Sequence, residues 1–575
     1  MSGMNLGHCV LAGALMLGST GAYAVAQSKS VLGRVDPPAG DARDTAAPDG
    51  TTPLHQAVRQ NDLKTVEALI TRGADVKAAT RYGVTPMGLA AMNGNAAILR
   101  ALLSAGADPN TATPGGETAL MTAARTGSVA AVTLLLERGA NVNAKDTVRS
   151  QTALMWAVTE NHSDIVKLLV ARGADVKAQT TITTPRGEYV AARAGGASGN
   201  GIIRQRALPT KDGGMTPLLF AVRDGNVAMT RMLLELGADI DQTSGNHTSP
   251  LLIALLNGQV AIATELLERG ADPNIADDYH RGAVFAAIEL RNFNHEKYPF
   301  LDSDRRDPLD LIKALIEKGA EPNLRSHTTP VHGLMQFDGS WVNFDGQTPF
   351  IRAALSGDFE VMRLLLAHGA DPNIATVQGS TALMAAAGIN WMPAQTYTRS
   401  EADYVEAVKL CLERGADVNA TNTLALAAIH GAANRGWVSI IQILADHGAK
   451  LETPDVGGRT PMTFAEGTFL AIRPPVAKPD AIALLKKLIA NRVGVLNPVH
   501  SMQRDAPRVG CGGSRLIDRA LDGAGEGVER RALGPADAGR WHEAGPHFTD
   551  DLLQRFRFGS CTIERQALER QTLER

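Results

Sequence analysis

The chain has 575 residues, a length at which several domains are expected. Its 57 lysines and arginines against 60 aspartates and glutamates give a net charge of -3, which argues against a protein that coats nucleic acid. Aromatic residues make up only 4% of the chain, so alanine and aliphatic residues must build the core, as in closely packed helices. The four cysteines, Cys9, Cys411, Cys511 and Cys561, are too few for a disulfide scaffold.

The N-terminus resembles an export signal. Residues 9–18 form an apolar run of the length found in a signal-peptide core, and small-residue cleavage sites end at Ala24 and Ala26. The residues before the run carry no lysine or arginine, which departs from the usual pattern. We expect a signal peptide over 1–26, a flexible lead-in over 27–49, and a periplasmic or secreted protein. The alternative is the disordered N-terminus of a cytoplasmic protein. No later apolar run is long enough to predict a membrane span.

Two short strings recur through the chain at a spacing of about 33 residues. The first string begins with Thr52-Pro53-Leu54-His55, and the second, Gly73-Ala74-Asp75, follows 21 residues after that start. Later copies of the first string begin at Thr85, Thr118, Thr152, Thr216, Ser249, Gly282, Thr348, Thr381, Ala427 and Thr460. Because the two strings stay a constant distance apart in most copies, the pattern predicts eleven repeated units.

The longer intervals are explained by four insertions. They lie between Gly173 and Thr216, between Gly282 and Gly319, between Gly319 and Thr348, and between Thr381 and Gly415. With these insertions the units account for one continuous array over 50–493.

Each unit has the pattern of a short helix, a turn and a second helix. Thr52 can cap the free N–H groups of the first helix, and Pro53 tolerates its first position. Gly73 can end the second helix in a left-handed conformation, and an extended hairpin tip follows. The pattern resembles the ankyrin repeat over 50–493. The resemblance implies an all-α ankyrin-repeat solenoid of about 11 helix-turn-helix units with hairpin tips and four insertions, stabilised by stacking.

A narrower resemblance is carried by three segments, 307–313, 385–388 and 406–412. They are similar to a group of exported bacterial ankyrin-repeat proteins, mostly of uncharacterised function. This resemblance implies architecture and export, and it names no activity.

The C-terminal segment 494–575 has a different composition. Residues 498–575 contain twelve arginines and no lysine, with twelve acidic residues that cancel their charge. No repeat landmark occurs there. We expect this tail to be disordered.

The search for a catalytic or metal site gives no candidate. His55 and His430 occupy the histidine position of the repeat, which by resemblance hydrogen-bonds neighbouring backbone. His327 and His332 share one insertion but have no third ligand at suitable spacing. Cys411 lies between leucines and is expected to be a buried thiol that acts as a small hydrophobe. The sequence therefore predicts a non-enzymatic protein with no cofactor and no metal.

The expected function is binding of another protein by a monomeric scaffold, through its concave face and hairpin tips. In the family that the chain resembles, partners contact tip residues and the positions after the Ala-Ala pair of the first helix. The corresponding residues here are Arg59, Arg81, Tyr82, Arg125, Arg149, Trp156, Arg223, Tyr279 and Arg281. Arginine and aromatic residues are favoured at interfaces, although arginine at these positions is also common as a solvated residue. Two alternatives are a secreted effector that binds host proteins and a regulatory module attached to an unrecognised enzyme activity.

The insertion over 178–213 is locally basic. It contains Arg186, Arg193, Arg204, Arg206 and Lys211 against Glu188 and Asp212. Residues 180–184 and 188–190 could extend a hairpin, whereas 194–201 is rich in glycine. The loop is expected either to grip an acidic partner or to be a tolerated surface insertion.

Overall fold

A computed structural model describes residues 46–184, 189–193, 202–206, 211–292, 307–327, 345–389, 399–467 and 476–496. The side chains of 189–193, 202–206 and 493–496 are not described. The predicted signal peptide, nearly all of the lead-in and all but the first residues of the tail lie outside these ranges. The predictions made for them remain predictions.

Eleven helix pairs follow one another along the described chain. Units 1–5 contain α1 (Pro53–Arg59), α2 (Leu63–Thr71), α3 (Pro86–Met92), α4 (Ala96–Ser104), α5 (Ala119–Thr126), α6 (Val129–Glu137), α7 (Ala153–Thr159), α8 (Ser163–Ala171), β1 (Tyr189–Arg193), β2 (Ile202–Arg206), α9 (Pro217–Arg223) and α10 (Val227–Glu235). Units 6–11 contain α11 (Pro250–Leu256), α12 (Val260–Glu268), α13 (Ala283–Arg291), α14 (Leu309–Glu317), α15 (Pro349–Leu355), α16 (Phe359–Ala367), α17 (Ala382–Ala386), α18 (Glu401–Glu413), α19 (Ala428–Arg435), α20 (Val438–Asp446), α21 (Pro461–Gly467) and α22 (Pro479–Leu496). We call the first helix of each pair the inner helix and the second the outer helix. The predicted all-α array of eleven units is confirmed.

The helix boundaries follow from local chemistry. The Thr52 hydroxyl accepts a hydrogen bond from the backbone N–H of His55 at the start of α1, and Pro53 takes the first helical position. At the end of α2, Gly73 has φ +86° with open space where a Cβ would lie. A residue with a side chain would be strained there, so glycine is the residue that lets the chain leave the helix.

The core is continuous from the first unit to the last. Leu54 of α1, Leu99 of α4 and Leu485 of α22 are all fully buried and belong to one cluster of apolar side chains. Each inner helix packs against the inner helix of the next unit, and each outer helix packs mainly against its own inner helix and its neighbours. Because each unit covers the apolar face of the one before it, stability comes from stacking.

The insertion between units 4 and 5 does not interrupt this stacking. The Asn226 side chain donates to Asn161 Oδ1 over 2.7 Å across the insertion. The same hydrogen bond joins Asn95 to Asn61, also at 2.7 Å, where no insertion occurs. The inner helices α7 and α9 pack directly against each other.

The same insertion adds two strands to the helical array. Strand β1 pairs antiparallel with β2, with Tyr189 opposite Arg206 and Arg193 opposite Ile202. At the root, Thr183 and Asp212 exchange two backbone hydrogen bonds of 2.8 Å. Residues 189–190 of the expected hairpin lie in β1, and Thr183 of 180–184 forms the bridge at the root, whereas residue 188 lies outside the described residues. The two strands are an addition to the all-α class.

An asparagine in the tip connects several neighbouring units. Asn143 Nδ2 donates to the Gly173 carbonyl over 2.9 Å, and Asn143 Oδ1 accepts from the N–H of Asp175 over 2.8 Å. Asn110 makes the same pair of contacts with the next unit, to Gly139 and Asn141.

We expect Asn143→Ala to lower the free energy of unfolding by about 1–2 kcal/mol, because two hydrogen bonds between units are lost. Urea denaturation followed by circular dichroism measures this change. Lys177 occupies the equivalent position one unit later, and its ammonium lies 3.8 Å from the exposed carboxylate of Asp239. Lys177→Ala is the control, and an equal loss in both variants would contradict the role of the asparagine.

Candidate functional site

The hairpin tips are held in a row by backbone hydrogen bonds. The Arg81 N–H donates to the Asp49 carbonyl over 2.9 Å, and the Thr181 N–H donates to the Arg149 carbonyl over 2.8 Å. Pro114 occupies the corresponding donor position in the third tip, where proline has no N–H to donate. The backbone of one tip therefore supports the next at these two junctions, and the equivalent hydrogen bond is missing at Pro114.

Arg81 and Tyr82 form an exposed pair at the second tip. The Arg81 Cζ lies 4.7 Å from the centroid of the Tyr82 ring, and Arg81 Nη2 donates to the Tyr82 hydroxyl. The Tyr82 side chain is 63% exposed. A guanidinium stacked on a ring keeps part of its hydrogen-bonding edge for a partner.

Arg125 and Trp156 come together from two different units. The Arg125 Cζ of α5 lies 5.1 Å from the Trp156 ring of α7. Arg125 Nη2 also pairs with Glu117 Oε1 at 3.0 Å, and the Thr122 hydroxyl donates to the same oxygen over 3.0 Å. Trp156 and Arg125 are both partly exposed. The sequence identified the two residues separately, and stacking places one over the other.

The remaining predicted arginines of the first five units are exposed. Arg223 of α9 lies over the Phe220 ring at 4.9 Å and pairs with Asp224 Oδ1 at 2.9 Å. Arg59 at the end of α1 and Arg149 in a tip are exposed side chains. All predicted contact residues of units 1–5 are therefore at least partly accessible.

Tyr279 and Arg281 were expected to contact a partner, and the structure corrects this expectation. Their exposed fractions are only 6% and 8%. Arg281 Nε donates to Asp277 Oδ2 over 2.8 Å, while Asp277 Oδ1 accepts from the N–H groups of Tyr279 and Arg281, each at 3.0 Å. The carboxylate holds the tip together and draws the arginine inward. An aspartate with an arginine four residues later, repeated at Asp455 and Arg459, is the sequence signal of this arrangement.

The sequence also missed a set of exposed apolar side chains. Most of them lie in the tips, and one lies at the end of α3. They are Met92 (55% exposed), Val129 (44%), Val148 (72%), Ile182 (48%), Val377 (62%), Val456 (67%) and Val476 (59%). An aliphatic residue in a tip that usually carries polar residues is the signal that could have found them. Exposed apolar residues next to arginine are typical of interaction surfaces.

The histidines of the repeat motif have the predicted structural role. His430 is fully buried, its Nδ1 accepts from the Ala427 N–H at 3.0 Å, and its Nε2 lies 2.9 Å from the Thr453 carbonyl. His55 makes the equivalent contacts with Thr52 and Val84. Because Nδ1 accepts a hydrogen bond and Nε2 donates one, the neutral imidazole fits this site.

Burial lowers the pKa of His430 from 6.5, against the opposing effect of its backbone hydrogen bonds. Below a pH of about 6.5 the unfolded chain takes up a proton that the folded chain resists, so stability is lost as the pH falls. We expect the melting temperature of the protein to fall between about pH 7.5 and about pH 5, and to fall less in His430→Gln. Equal slopes in both proteins, measured by circular dichroism, would contradict this assignment.

The structure also describes two further residues that the sequence singled out, Cys411 and His327. Cys411 is 1% exposed, and burial raises the pKa of its thiol to about 12, so it is an unreactive part of the core. The His327 and His280 rings have centroids 4.3 Å apart with their planes tilted by 49°, and His332 lies outside the described residues. Within the ranges given above, no group of three or more potential metal ligands is found. In the same ranges no helix has the length and apolarity needed to cross a membrane.

The comparisons with known proteins agree with this architecture. A family model described as "ankyrin repeats (3 copies)" matches residues 29–113, 110–180, 194–277 and 303–390, and an "ankyrin repeat" model matches residues 378–423. The chain belongs to the ankyrin-repeat family. The first match begins inside the segment expected to be a flexible lead-in, so that boundary remains a prediction.

Two mammalian relatives share parts of this ankyrin array. Human Ankyrin repeat and SOCS box protein 16 is 29% identical over 177 residues, which cover 28% of this chain and 38% of the relative. Rat Cyclin-dependent kinase 4 inhibitor B is 32% identical over 115 residues, which cover 20% of this chain and 78% of the relative. Neither relative bears on the predicted export.

Solved ankyrin-repeat domains also match. The ankyrin repeat domain of Bcl-3 is 26% identical, covers 41% of this chain and 94% of its own, and has a TM-score of 0.34. The human ASB11 ankyrin repeat domain is 24% identical, covers 47% of this chain and 99% of its own, and has the same TM-score of 0.34.

Proposed function

We propose that this ankyrin-repeat chain is a non-enzymatic scaffold that binds another protein through the tips and inner helices of units 1–5. Ankyrin repeats are in general scaffolds for protein–protein interaction. The observation that carries the proposal is the contrast between the two halves of the predicted site. Arg81 with Tyr82 and Arg125 with Trp156 are accessible, whereas Tyr279 and Arg281 are buried.

The chemistry of these pairs suits a protein interface. Stacking on a ring and pairing with Glu117 hold the Arg125 guanidinium in place, so that less side-chain entropy is lost when a partner binds. Tryptophan and arginine are the residues most enriched among those that dominate binding energy. Exposed aliphatic side chains such as Val148 lie in the tip row beside the arginines.

Substitution at this pair tests the proposal. The full chain is immobilised, proteins are captured from the cells that produce it, and the captured partner is then titrated in purified form. We expect Trp156→Ala and Arg125→Ala each to weaken its binding by about tenfold or more. Arg363→Ala, on the outer helix α16, is the control because Arg363 is exposed and stacked on Phe359 at 5.5 Å. Equal binding by all three variants would contradict the proposed face.

We further propose that the protein is exported, as in the group of bacterial ankyrin proteins that the sequence resembles. The support is the apolar run at 9–18 followed by small residues at Ala24 and Ala26. A tagged full-length chain should appear in the periplasmic fraction and lose its N-terminal segment, whereas deletion of 1–26 should retain it in the cytoplasm. Accumulation in the medium would favour a secreted effector, and an uncleaved cytoplasmic protein would contradict export.

A further inference from the structure

The position seven residues after the first residue of a unit lies near the end of the inner helix in units 1–6. In units 1–6 its side chain is exposed or partly exposed. These six residues, which we call the inner-helix row, are Arg59, Met92, Arg125, Thr159, Arg223 and Leu256. In unit 7 the same position holds Glu289, which is partly exposed and lies 3.6 Å from Arg352 Nε. In unit 8 it holds Leu355, which is only 4% exposed, so the row of guanidinium and uncharged side chains ends at unit 6.

The chemistry of the inner-helix row alternates. Units 1, 3 and 5 present guanidinium groups, and units 2, 4 and 6 present uncharged side chains. Two of the guanidiniums are held in place, Arg125 against the Trp156 ring and Arg223 against the Phe220 ring. Glu117 and Asp224 each contact one of these guanidiniums through a single carboxylate oxygen at 3.0 and 2.9 Å, which leaves further N–H donors.

The distance between the arginines of the inner-helix row sets the distance between the groups of a partner that could pair with them. Packed helices lie about 8–10 Å apart, so arginines in alternate units are about 16–20 Å apart. A polyproline II segment advances about 9.3 Å per turn of three residues, and every third side chain then faces the same side. One turn of such a segment therefore matches one repeat. In an extended strand successive side chains point to opposite faces, so a side chain three residues further on would point away from the inner-helix row.

We infer that the inner-helix row binds a polyproline II segment of another protein in which a carboxylate recurs about every six residues, with an apolar or small residue midway. This inference rests on the proposed function and names the chemistry of the partner. The carboxylates face Arg59, Arg125 and Arg223. The residue midway between the first two faces Met92, whose side chain is 55% exposed. Between the carboxylates that face Arg125 and Arg223, the exposed Glu160 beside Thr159 would repel a further carboxylate of the partner.

A labelled synthetic peptide tests the inference with the full chain. The probe is rich in proline, carries glutamate about every six residues and has leucine midway between the first two glutamates. We expect saturable binding by fluorescence anisotropy, weakened about tenfold by Arg59→Glu or Arg223→Glu and weakened further by added salt. Arg138→Glu and Arg363→Glu, at exposed positions of the outer-helix side, are matched controls with the same change of charge.

Two further peptides separate spacing from charge. A permuted peptide of the same composition, with glutamate about every four residues, should bind several-fold more weakly, and a peptide with lysine in place of glutamate should not bind. Equal binding of the permuted peptide, or equal effects of the row and control variants, would overturn the inference. If the peptide fails while capture of a cellular partner still depends on Trp156, the inferred complement is wrong and the proposed function stands.

Discussion

Asp358→Ala is expected to destabilise the array by about 3–5 kcal/mol, the largest effect of any single substitution considered. Asp358 caps α16 and is fully buried. Its Oδ2 accepts from Arg291 Nε over 2.8 Å and lies 2.9 Å from Arg399 Nη2. It also accepts from the buried amide of Asn292 over 3.0 Å. Alanine leaves two guanidinium groups without their shared carboxylate.

The burial of those guanidiniums makes the loss large. The side chains of Arg291 and Arg399 are only 8% and 19% exposed, so water cannot replace the carboxylate. Burial alone would lower the pKa of Arg291, but hydrogen bonds and charge from Asp307 and Asp358 outweigh it and raise that pKa. The carboxylates thus offset the cost of burying a guanidinium that stays charged.

Glu360→Ala is the matched control for Asp358→Ala. Glu360 contacts the same arginine at 2.9 Å, but its side chain is 55% exposed. An exposed ion pair contributes little, so we expect a loss of less than about 1 kcal/mol. Urea denaturation followed by circular dichroism measures both variants. Similar small losses would show that the buried carboxylate does not hold this part of the array together.

Gly431→Ala is expected to destabilise the protein by about 2–3 kcal/mol, although alanine is the better helix former by about 1 kcal/mol. Gly431 lies inside the inner helix α19. A Cβ there would lie 2.7 Å from the Ile389 backbone nitrogen and 2.8 Å from the Ala387 carbonyl oxygen. Backbone atoms cannot rotate away, so two neighbouring units must separate. The close contact between the added Cβ and this backbone therefore outweighs the gain in helix propensity, and the substitution is destabilising.

Gly88→Ala should have the opposite effect. Gly88 lies in the inner helix α3, and a Cβ there would meet only the Thr85 hydroxyl at an ordinary distance of 3.5 Å. Helix propensity then dominates, and we expect stabilisation by about 0.5–1 kcal/mol. Thermal melting of the two variants gives the comparison. A stabilising Gly431→Ala would mean that the packing of α19 on unit 9 is looser than the structure shows.

The repeat register could be predicted because its determinants are local. Thr52, Pro53 and Gly73 each act on backbone within a few residues, through a cap, a permitted dihedral and a left-handed turn. The structural role of His430 is equally local, since one of its two hydrogen bonds is made to Ala427. Because such residues recur at a constant spacing within each unit, they identify eleven helix pairs. The four insertions lengthen the chain between them without hiding this spacing.

The candidate site was predicted less completely. The expected residues of units 1–5 are accessible, but Tyr279, at the tip position of Tyr82, and Arg281, at the tip position of Val84, are buried. Asp277 makes the difference, because its carboxylate turns Arg281 inward. The position of a residue in the repeat thus predicts the local backbone conformation. It does not predict which neighbouring side chain captures the one placed there.

By itself, the sequence determined the unit, its number and its stacking, because capping and helix termination depend on neighbours along the chain. Only the tertiary structure decided which charges and rings meet. Arg125 reaches Trp156 from another unit, and Arg291 and Arg399 converge on Asp358 from units on either side. Such contacts depend on the spacing and rotation between stacked units and on where the insertions leave the array. Those quantities arise when the units pack, and no single repeat contains them.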